Sequence, residues 1–342
     1  MPIKVDTFLA GLDQAERMGA EARAAGYDGV WTGELSHDPF LPLAVAAPTV
    51  RPLDMGTSIV VAFARSPMTL ASTAWDLQAW SGGRFYLGLG SQVRAHIERR
   101  FSMPWSHPAA RMREFILALR AIWASWQDGA PLDFSGDFYS HTLMTPNFNP
   151  GPLPEGPPKV LLAAVGTAMT RVAAEVADGL LVHSYTTRRY LAEVTIPALD
   201  AALQQAGRSR ADFEVKYPPF VVTGSTEREM AEAAAVAKER IAFYASTPAY
   251  RPVLELHGWG DLQTDLNQLA RQGEWKTMAG LIDDEVLSAF AVIAPTPQLP
   301  AALAAWLGGM VDRTTIAAPL GSAPETREFL DAFRAEAAAN GR

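Results

Sequence analysis

Ser81-Gly82-Gly83-Arg84-Phe85-Tyr86-Leu87-Gly88-Leu89-Gly90-Ser91-Gln92 reads as a chain reversal, a short buried strand and a glycine-punctuated loop. The pair Gly82-Gly83 lacks Cβ atoms and favours reversal. Phe85 to Leu89 is a continuous apolar run, too short for a helix, as expected of a strand covered on both faces. Gly88 and Gly90 bring bare backbone to the strand's carboxyl end, where parallel sheets and barrels place their ligands. The third glycine position of a dinucleotide fingerprint is occupied by Val93, so that motif is absent.

Strands and helices alternate on both sides of this stretch. Upstream, Ile3–Phe8, Gly29–Thr32 and Met55–Ala62 read as strands one to three. Helices over Leu12–Ala25 and Phe40–Val50 separate them, and Ser66-Pro67 opens a third helix with a cap and a first-turn proline. Downstream, a long helix is expected over about Ala110–Trp126, then a hairpin over Asp133–Tyr139 around Ser135-Gly136. The proline-rich stretch Pro146–Pro158 reads as an ordered seam between half-barrels. Strands five to eight fall at Lys159–Ala164, Leu180–Val182, Phe213–Val222 and Thr314–Ala317. Helices follow at Gly166-Thr167 onward, Arg188–Gln205 and Glu227–Ser246, then Pro297–Leu307 and Glu325–Ala339. Thr247–Asp284 reads as irregular, either a lid or a surface insertion. The pattern predicts an α/β fold, a (β/α)8 TIM barrel forming one domain over residues 1–342, with the insertion at about 247–284 before the last strand.

Composition narrows the function. The 342 residues are 49% hydrophobic and 19% charged, enough to bury a large core. A net charge of -8 argues against nucleic acid or an anionic membrane as the main partner. The absence of cysteine excludes disulfides, thiolate nucleophiles and cysteine-bound metals. The opening residues carry no basic stretch followed by an apolar run, and no run approaches the ~18 apolar residues of a membrane span. The expected location is the cytoplasm.

In a barrel the loops after the strands share one face. They supply Glu34, His37 and Asp38 after strand two, Phe63 and Arg65 after strand three, and Ser91, Gln92 and His96 after strand four. Gly166 and Thr167 follow strand five; His183, Ser184 and Tyr185 follow strand six. No paired-histidine spacing points to a metal, so none is expected. No Gly-x-Ser-x-Gly elbow points to a hydrolase. Gly166-Thr167 either makes a simple turn or seats an anion on unpaired first-turn amides, and His183-Ser184 tips the balance toward phosphate. Glu34 has two readings, loop cap or functional carboxylate, and His96 two, carbonyl donor or acid. His107 and His141 read as structural, and Trp75, Trp80, Trp123 and Trp126 fall at helix-face spacing, where core packing is the default.

These residues resemble the bacterial-luciferase-like flavin and deazaflavin oxidoreductases. The run Gly83–Ser91 looks like that family's fourth-strand signature. Gly56–Ile59 with Arg65-Ser66-Pro67, Arg111–Glu114, Ala163–Gly166 and Ala177–Gly179 resemble other segments in order. Within the family, Glu34, Asp38–Leu41, Ala62–Arg65 and Leu89–Gln92 look most like the actinobacterial branch that uses coenzyme F420. The resemblance weakens after about residue 225.

The resemblance implies a deazaflavin ring at the barrel mouth, backed by a non-prolyl cis bond at Ser58–Ile59, with Glu34 close by. It implies a cofactor-binding set of Glu34, Ser58, Ile59, Val61, Gly90, Ser91, Gln92 and His96. The coenzyme phosphate would rest near Val165, Gly166 and Thr167, with His183 and Ser184 alongside. Gly88 and Gly90 would give clearance for the planar ring. His96, Glu34 and His37 are the acid candidates, His96 foremost. Sugar-phosphate oxidation, known in the family, is not expected: Leu35, Val93, His96 and Thr186 replace the His, Glu, Asn and Lys of those enzymes. The expected reaction is hydride transfer between F420 and a small substrate, which Trp31, Phe63, Trp105 and Tyr185 suggest is apolar or aromatic. The alternatives are an FMN-dependent monooxygenase and a non-catalytic flavin-binding protein. A homodimer or higher homo-oligomer is expected, with no nucleic-acid or membrane partner.

Overall fold

A computed structural model describes residues 2–316 and 320–340, and its parallel strands alternate with helices as a (β/α)8 barrel. Ala317, the expected end of the eighth strand, lies outside the described residues. Contacts divide the chain into two compact units. The first comprises Asp6–Leu181 and Ala202–Glu214; the second comprises Met1–Val5, Val182–Ala201 and Val215–Arg342. The proline-rich stretch 146–158, expected as a seam, lies inside the first unit.

The strands β1 (Lys4–Phe8), β2 (Gly29–Thr32), β3 (Asp54–Thr57), β4 (Phe85–Gly90), β5 (Lys159–Ala164) and β6 (Gly179–Val182), all but Lys4, Val5 and Val182 in the first unit, lie side by side in chain order. The pairing is parallel, with Asp6 opposite Gly29, Trp31 opposite Gly56, Met55 opposite Phe85 and Leu87 opposite Val160. All six residues of β4 are buried, as its apolar run requires. Inside, Trp31, Tyr86, Leu161 and Leu181 pack together, the Trp31 and Tyr86 rings 5.8 Å apart.

The third strand is not the single run expected over Met55–Ala62. It stops at Thr57 and resumes at Val60–Val61, where Val61 lies opposite Gly90. Between them is a non-prolyl cis peptide, Ser58–Ile59. The two residues bond to the end of β2 and its loop: Ser58 N–H donates to the Thr32 carbonyl at 2.6 Å, and the Ile59 carbonyl accepts from Glu34 N–H at 3.0 Å.

Helices α1 (Ala15–Ala25), α2 (Phe40–Val50), α3 (Pro67–Ser81), α4 (Pro108–Asp128) and α5 (Thr167–Val176) follow their strands. The Asp38 carboxylate starts α2 by accepting from Phe40 N–H at 2.8 Å and Leu41 N–H at 3.2 Å. Ser66 starts α3 by accepting from Thr69 N–H at 3.2 Å, with Pro67 in the first turn. The hairpin strands are Phe134–Ser135 and Ser140–His141, so the turn falls over 136–139, two residues beyond the expected centre. One α4 side chain holds that turn: Glu114 accepts from the N–H groups of Asp137, Phe138 and Tyr139 at 2.9, 2.7 and 2.6 Å.

In the second unit the expected strand Phe213–Val222 is two short ones, β7 (Glu214–Lys216) and β8 (Phe220–Val222). Pro218 and Pro219 lie between, and a proline has no N–H for a ladder. Lys216 of β7 lies opposite Arg313 of β10 (Arg313–Thr315). β8 pairs in parallel with β9 (Ala291–Ile293), a strand that was not expected. The stretch Thr247–Asp284, expected to be irregular, is largely helical, with helices over Arg251–Glu255, Gly260–Gln272 and Trp275–Ala279. Pro248 and Pro252 sit in first turns, Gly260 begins a helix, and Gly273 and Gly280 end helices, so they punctuate the stretch without disrupting it. Val253, Leu254, Leu266, Met278 and Ile282 bury its apolar side against α6 (Glu227–Ala245) and neighbouring residues. No helix among the described residues is long and apolar enough to cross a membrane.

Candidate active site

The loop after β2 delivers Glu34 to the resumed end of β3. Its carboxylate, 8% exposed, accepts from Val61 N–H at 2.7 Å and from Arg65 Nη1 at 2.7 Å through the same oxygen. The other oxygen is 2.9 Å from the same Arg65 nitrogen. Arg65 is itself fixed, donating to the Val61 carbonyl at 3.3 Å, with Nη2 3.6 Å from Asp38 and its guanidinium 5.7 Å from the centre of the Phe40 ring. A cation and an amide therefore hold one carboxylate in one place at the ends of β2 and β3. Charge-assisted bonds of this kind orient an anion strongly.

β4 ends beside it, and here the expected role of the glycines changes. A Cβ on Gly88 would sit 1.7 Å from the Thr57 carbonyl oxygen, and one on Gly90 2.7 Å from the Ile59 Cδ1. The missing side chains make room for the Thr57 carbonyl and the Ile59 side chain. Thr57 uses the closeness, its hydroxyl bonding both the N–H and the carbonyl of Gly88 at 2.9 Å. Beyond Gly90, Gln92 adopts a left-handed backbone with φ 59°, and its side chain turns back to accept from Val93 N–H at 3.0 Å. Ser91 donates to the Gln92 carbonyl at 3.1 Å. His96 follows on the short helix Arg94–Arg99. It is exposed, as is His37, and neither side chain meets a partner.

At the start of α5, Gly166 has φ -97°, which any residue adopts, and nothing stands within 4 Å of where its Cβ would be. No side chain caps this helix, so its first-turn amides stay open. Neither the turn nor crowding calls for glycine here. Val165 is half-buried, and Gly166 and Thr167 are exposed.

His183 belongs to the second unit and has a different setting. Its Nδ1 accepts from Tyr185 N–H at 2.9 Å, which leaves the ring proton on Nε2. The imidazole centre is 4.7 Å from that of Tyr244 and 5.1 Å from that of Tyr250. Burial among these rings drives its pKa down to about 4, so the ring is neutral near pH 7. Burial, followed by the neighbouring Tyr244, pushes Tyr250 up to about 12. Tyr185 is wholly buried, its hydroxyl sealed without a partner, and burial raises its pKa above the usual phenol range. Ser184 beside it is half-buried, its carbonyl accepting from Thr186 N–H at 2.9 Å.

The structure thus brings together Glu34, Ser58, Ile59, Val61 and Gly90, and adds Arg65 as the cation that fixes them. Arg65 stood in the sequence among the loop residues after strand three and in the family-like segments Ala62–Arg65 and Arg65-Ser66-Pro67, with no assigned task. Tyr244 and Tyr250 carried no signal. Of the aromatic residues expected to line a pocket, Trp31, Phe63 and Tyr185 are sealed in packed interiors and only Trp105 is partly exposed. Phe63 lies under the guanidinium of buried Arg111, 4.5 Å from it, and 5.7 Å from the Trp105 ring. Arg111 also donates to the Tyr139 hydroxyl at 2.8 Å and to the Pro104 carbonyl at 2.7 Å, so it grips the same hairpin as Glu114. Among the described residues no three His, Asp or Glu side chains are placed to hold a metal ion.

A barrel with a fixed carboxylate at its strand ends is common to many chemistries, and comparison with known proteins narrows the choice. The family model for luciferase-like monooxygenases matches residues 4–313, and the chain belongs to that family. The uncharacterized protein Rv1360 of Mycobacterium tuberculosis is 56% identical over 288 residues, 84% of this chain and 85% of its own. The putative coenzyme F420-dependent oxidoreductase Rv3520c of the same organism is 28% identical over 327 residues, 91% of each chain. The solved coenzyme F420-dependent tetrahydromethanopterin reductase of Methanopyrus kandleri shares the fold over 100% of both chains, with a TM-score of 0.78 at 18% identity.

Proposed function

We propose that this chain is an oxidoreductase that moves a hydride between coenzyme F420, a deazaflavin, and a small organic substrate. The observation that carries the reading is the Glu34 carboxylate, fixed by Arg65 and the Val61 amide where β2 and β3 end. The likeness to Rv3520c over most of both chains favours F420 as the carrier. The residues present suit such a group. Gly166 is a glycine that neither backbone nor packing demands, at an uncapped helix start, as a phosphate approaching backbone amides would need.

When bound, the coenzyme supplies a two-electron hydride carrier. The chain's own task is to orient it, exclude water and handle one proton. Glu34, Ser58, Ile59, Val61, Gly90, Ser91 and Gln92 form the ring's seat, and Val165, Gly166 and Thr167 the phosphate's. Because its acceptor sites are already engaged, Glu34 serves as a fixed negative group and hydrogen-bond acceptor. Proton delivery to substrate falls to His96, with His37 as the alternative; both are exposed and free of side-chain partners. His183, a neutral imidazole, offers Nε2–H as a donor and no positive charge to a ligand.

Titrating the purified protein with oxidised F420 and with FMN, each followed by fluorescence, tests the cofactor. Saturable F420 binding that weakens about tenfold or more in Glu34→Ala is the expected result. Saturation by FMN with no response to F420 would overturn it in favour of a flavin monooxygenase. Binding without turnover on a panel of carbonyls, alkenes and alcohols would point to a carrier protein. His96→Ala should lower turnover by about 10²-fold at unchanged cofactor affinity; unchanged turnover removes His96 from the mechanism.

A further inference from the structure

The outer face of α6 is polar for most of its length, exposing Glu227, Arg228, Glu232 and Arg240. One ridge breaks the pattern. Val236, Glu239 and Phe243 follow one another at helical spacing, and Val236 is 51% exposed and Phe243 55%. The short helix Trp275–Ala279 packs beside this ridge and brings Trp275, itself 54% exposed, to 6.1 Å from the Phe243 ring centre. Between the two helices is a cleft of 410 Å³ lined by Glu239, Phe243, Trp275, Lys276 and Met278, all in the second unit. Met278 is buried, so the cleft has an apolar inner wall. Sites for small molecules start at about 300 Å³, so a ligand of amino-acid size fits.

The polar groups of the cleft are unmatched. Glu239 and Lys276 both line it, yet neither forms an ion pair with the other or with any other described residue. The indole N–H of Trp275 has no acceptor among the described residues. Close by, the neighbouring Lys238 does find a carboxylate, Asp284 at 2.8 Å.

We propose that this cleft binds a small aromatic zwitterion, of the class of a free α-amino acid with an aromatic side chain. The ligand's ring lies against Phe243 and Trp275, its ammonium faces Glu239, and its carboxylate faces Lys276 and the indole N–H. The two exposed rings supply the apolar contact and favour a third ring by stacking or edge contact. The two charges set the ligand's own. A monoanion would meet Glu239, and a monocation would meet Lys276. A neutral ring would strip water from both side chains and put nothing in its place. A ligand carrying both signs answers both, and charge-assisted bonds fix its orientation. The cleft contains none of the residues assigned to the hydride transfer, so the proposal goes beyond that reading.

Calorimetric titration of the full chain with L-phenylalanine and L-tryptophan tests it, beside two analogues that each lack one charge. Phenethylamine lacks the carboxylate and 3-phenylpropanoate lacks the ammonium. At least one of the two amino acids should saturate a single site with a Kd on the order of 1 mM. Each analogue should bind about tenfold more weakly than L-phenylalanine, or than L-tryptophan if only that saturates. Lys276→Gln should remove the amino acid's advantage over phenethylamine, and Glu239→Gln its advantage over 3-phenylpropanoate. Trp275→Ala should weaken the amino acid about tenfold at unchanged circular dichroism. Failure of both amino acids to saturate overturns the proposal, and so does an analogue that binds as well as the amino acid. Binding that survives Trp275→Ala places the ligand elsewhere and overturns it too. No coenzyme or turnover enters these readouts, so their failure leaves the proposed reaction standing, and the reverse holds.

Discussion

Glu34 follows β2 and His183 follows β6, and the chain treats their capacity for charge in opposite ways. Around Glu34 it supplies a guanidinium, an amide and a tight bend in β3, so that an anion is kept in a nearly closed place. Around His183 it supplies the Tyr244 and Tyr250 rings and a single backbone donor, so that the imidazole stays neutral. The difference lies in partners: low exposure fixes a charge when a counter-charge comes with it and abolishes it when none does.

The largest effect is expected where the Glu34 region is packed most tightly. Gly88→Ala would drive a Cβ against the Thr57 carbonyl, a backbone atom that cannot swing aside, and should cost more than about 3 kcal/mol in urea unfolding. Gly90→Ala meets the tip of a flexible Ile59 side chain and should cost clearly less. Equal costs would mean that β3 and β4 are not held together through Thr57.

Next comes acid. The folded pKa of His183, about 4, lies below the ordinary value near 6.5, so the unfolded chain takes up this proton more readily. This contribution to stability is intact above about pH 6.5 and is lost as pH falls toward 4, by up to about 3 kcal/mol. His183→Gln should flatten that part of the profile when urea midpoints are compared across pH. An unchanged slope would show that the aromatic surroundings do not hold the ring neutral.

Arg65→Met tests the other side. It leaves the Glu34 carboxylate little exposed and without its cation, and about 2 kcal/mol should be lost, less than for a fully buried pair because Arg65 is 22% exposed. Smallest, and of opposite sign, is Tyr185→Phe. It removes a hydroxyl sealed without a partner, and a gain of about 1 kcal/mol in unfolding free energy is expected. A loss would mean that the hydroxyl has a partner, such as an internal water.

Periodicity and punctuation located most of the barrel. Gly82-Gly83 ends α3 with two left-handed residues, φ 68° and 81°, and β4 begins two residues later, as the glycine pair and the apolar run had indicated. The Ser66 cap and the first-turn Pro67 were equally readable, because such signals act within four residues. Longer-range causes were hidden. The partner that fixes Glu34 is 31 residues away, and the rings that neutralise His183 are some sixty residues away, Tyr244 on the helix Glu227–Ala245 and Tyr250 in the stretch read as irregular. There the same Pro and Gly residues that mark loops in isolation were marking helix ends. Gly88 and Gly90 were read as space for a ligand because a sequence shows that a side chain is missing, not what fills the gap.

Glu114 and Arg111, first noticed as part of a family-like motif, both close on the hairpin at 134–141. Two strands of two residues each are too short to persist unaided. The lifetime of this segment in its closed form is therefore set by a few side-chain contacts on α4, chiefly those of one carboxylate. In a protease digest that lifetime becomes a clock: with Glu114 intact the turn is withheld from cleavage, and with glutamine in its place the chain should be nicked here early, while the strands on either side still stand.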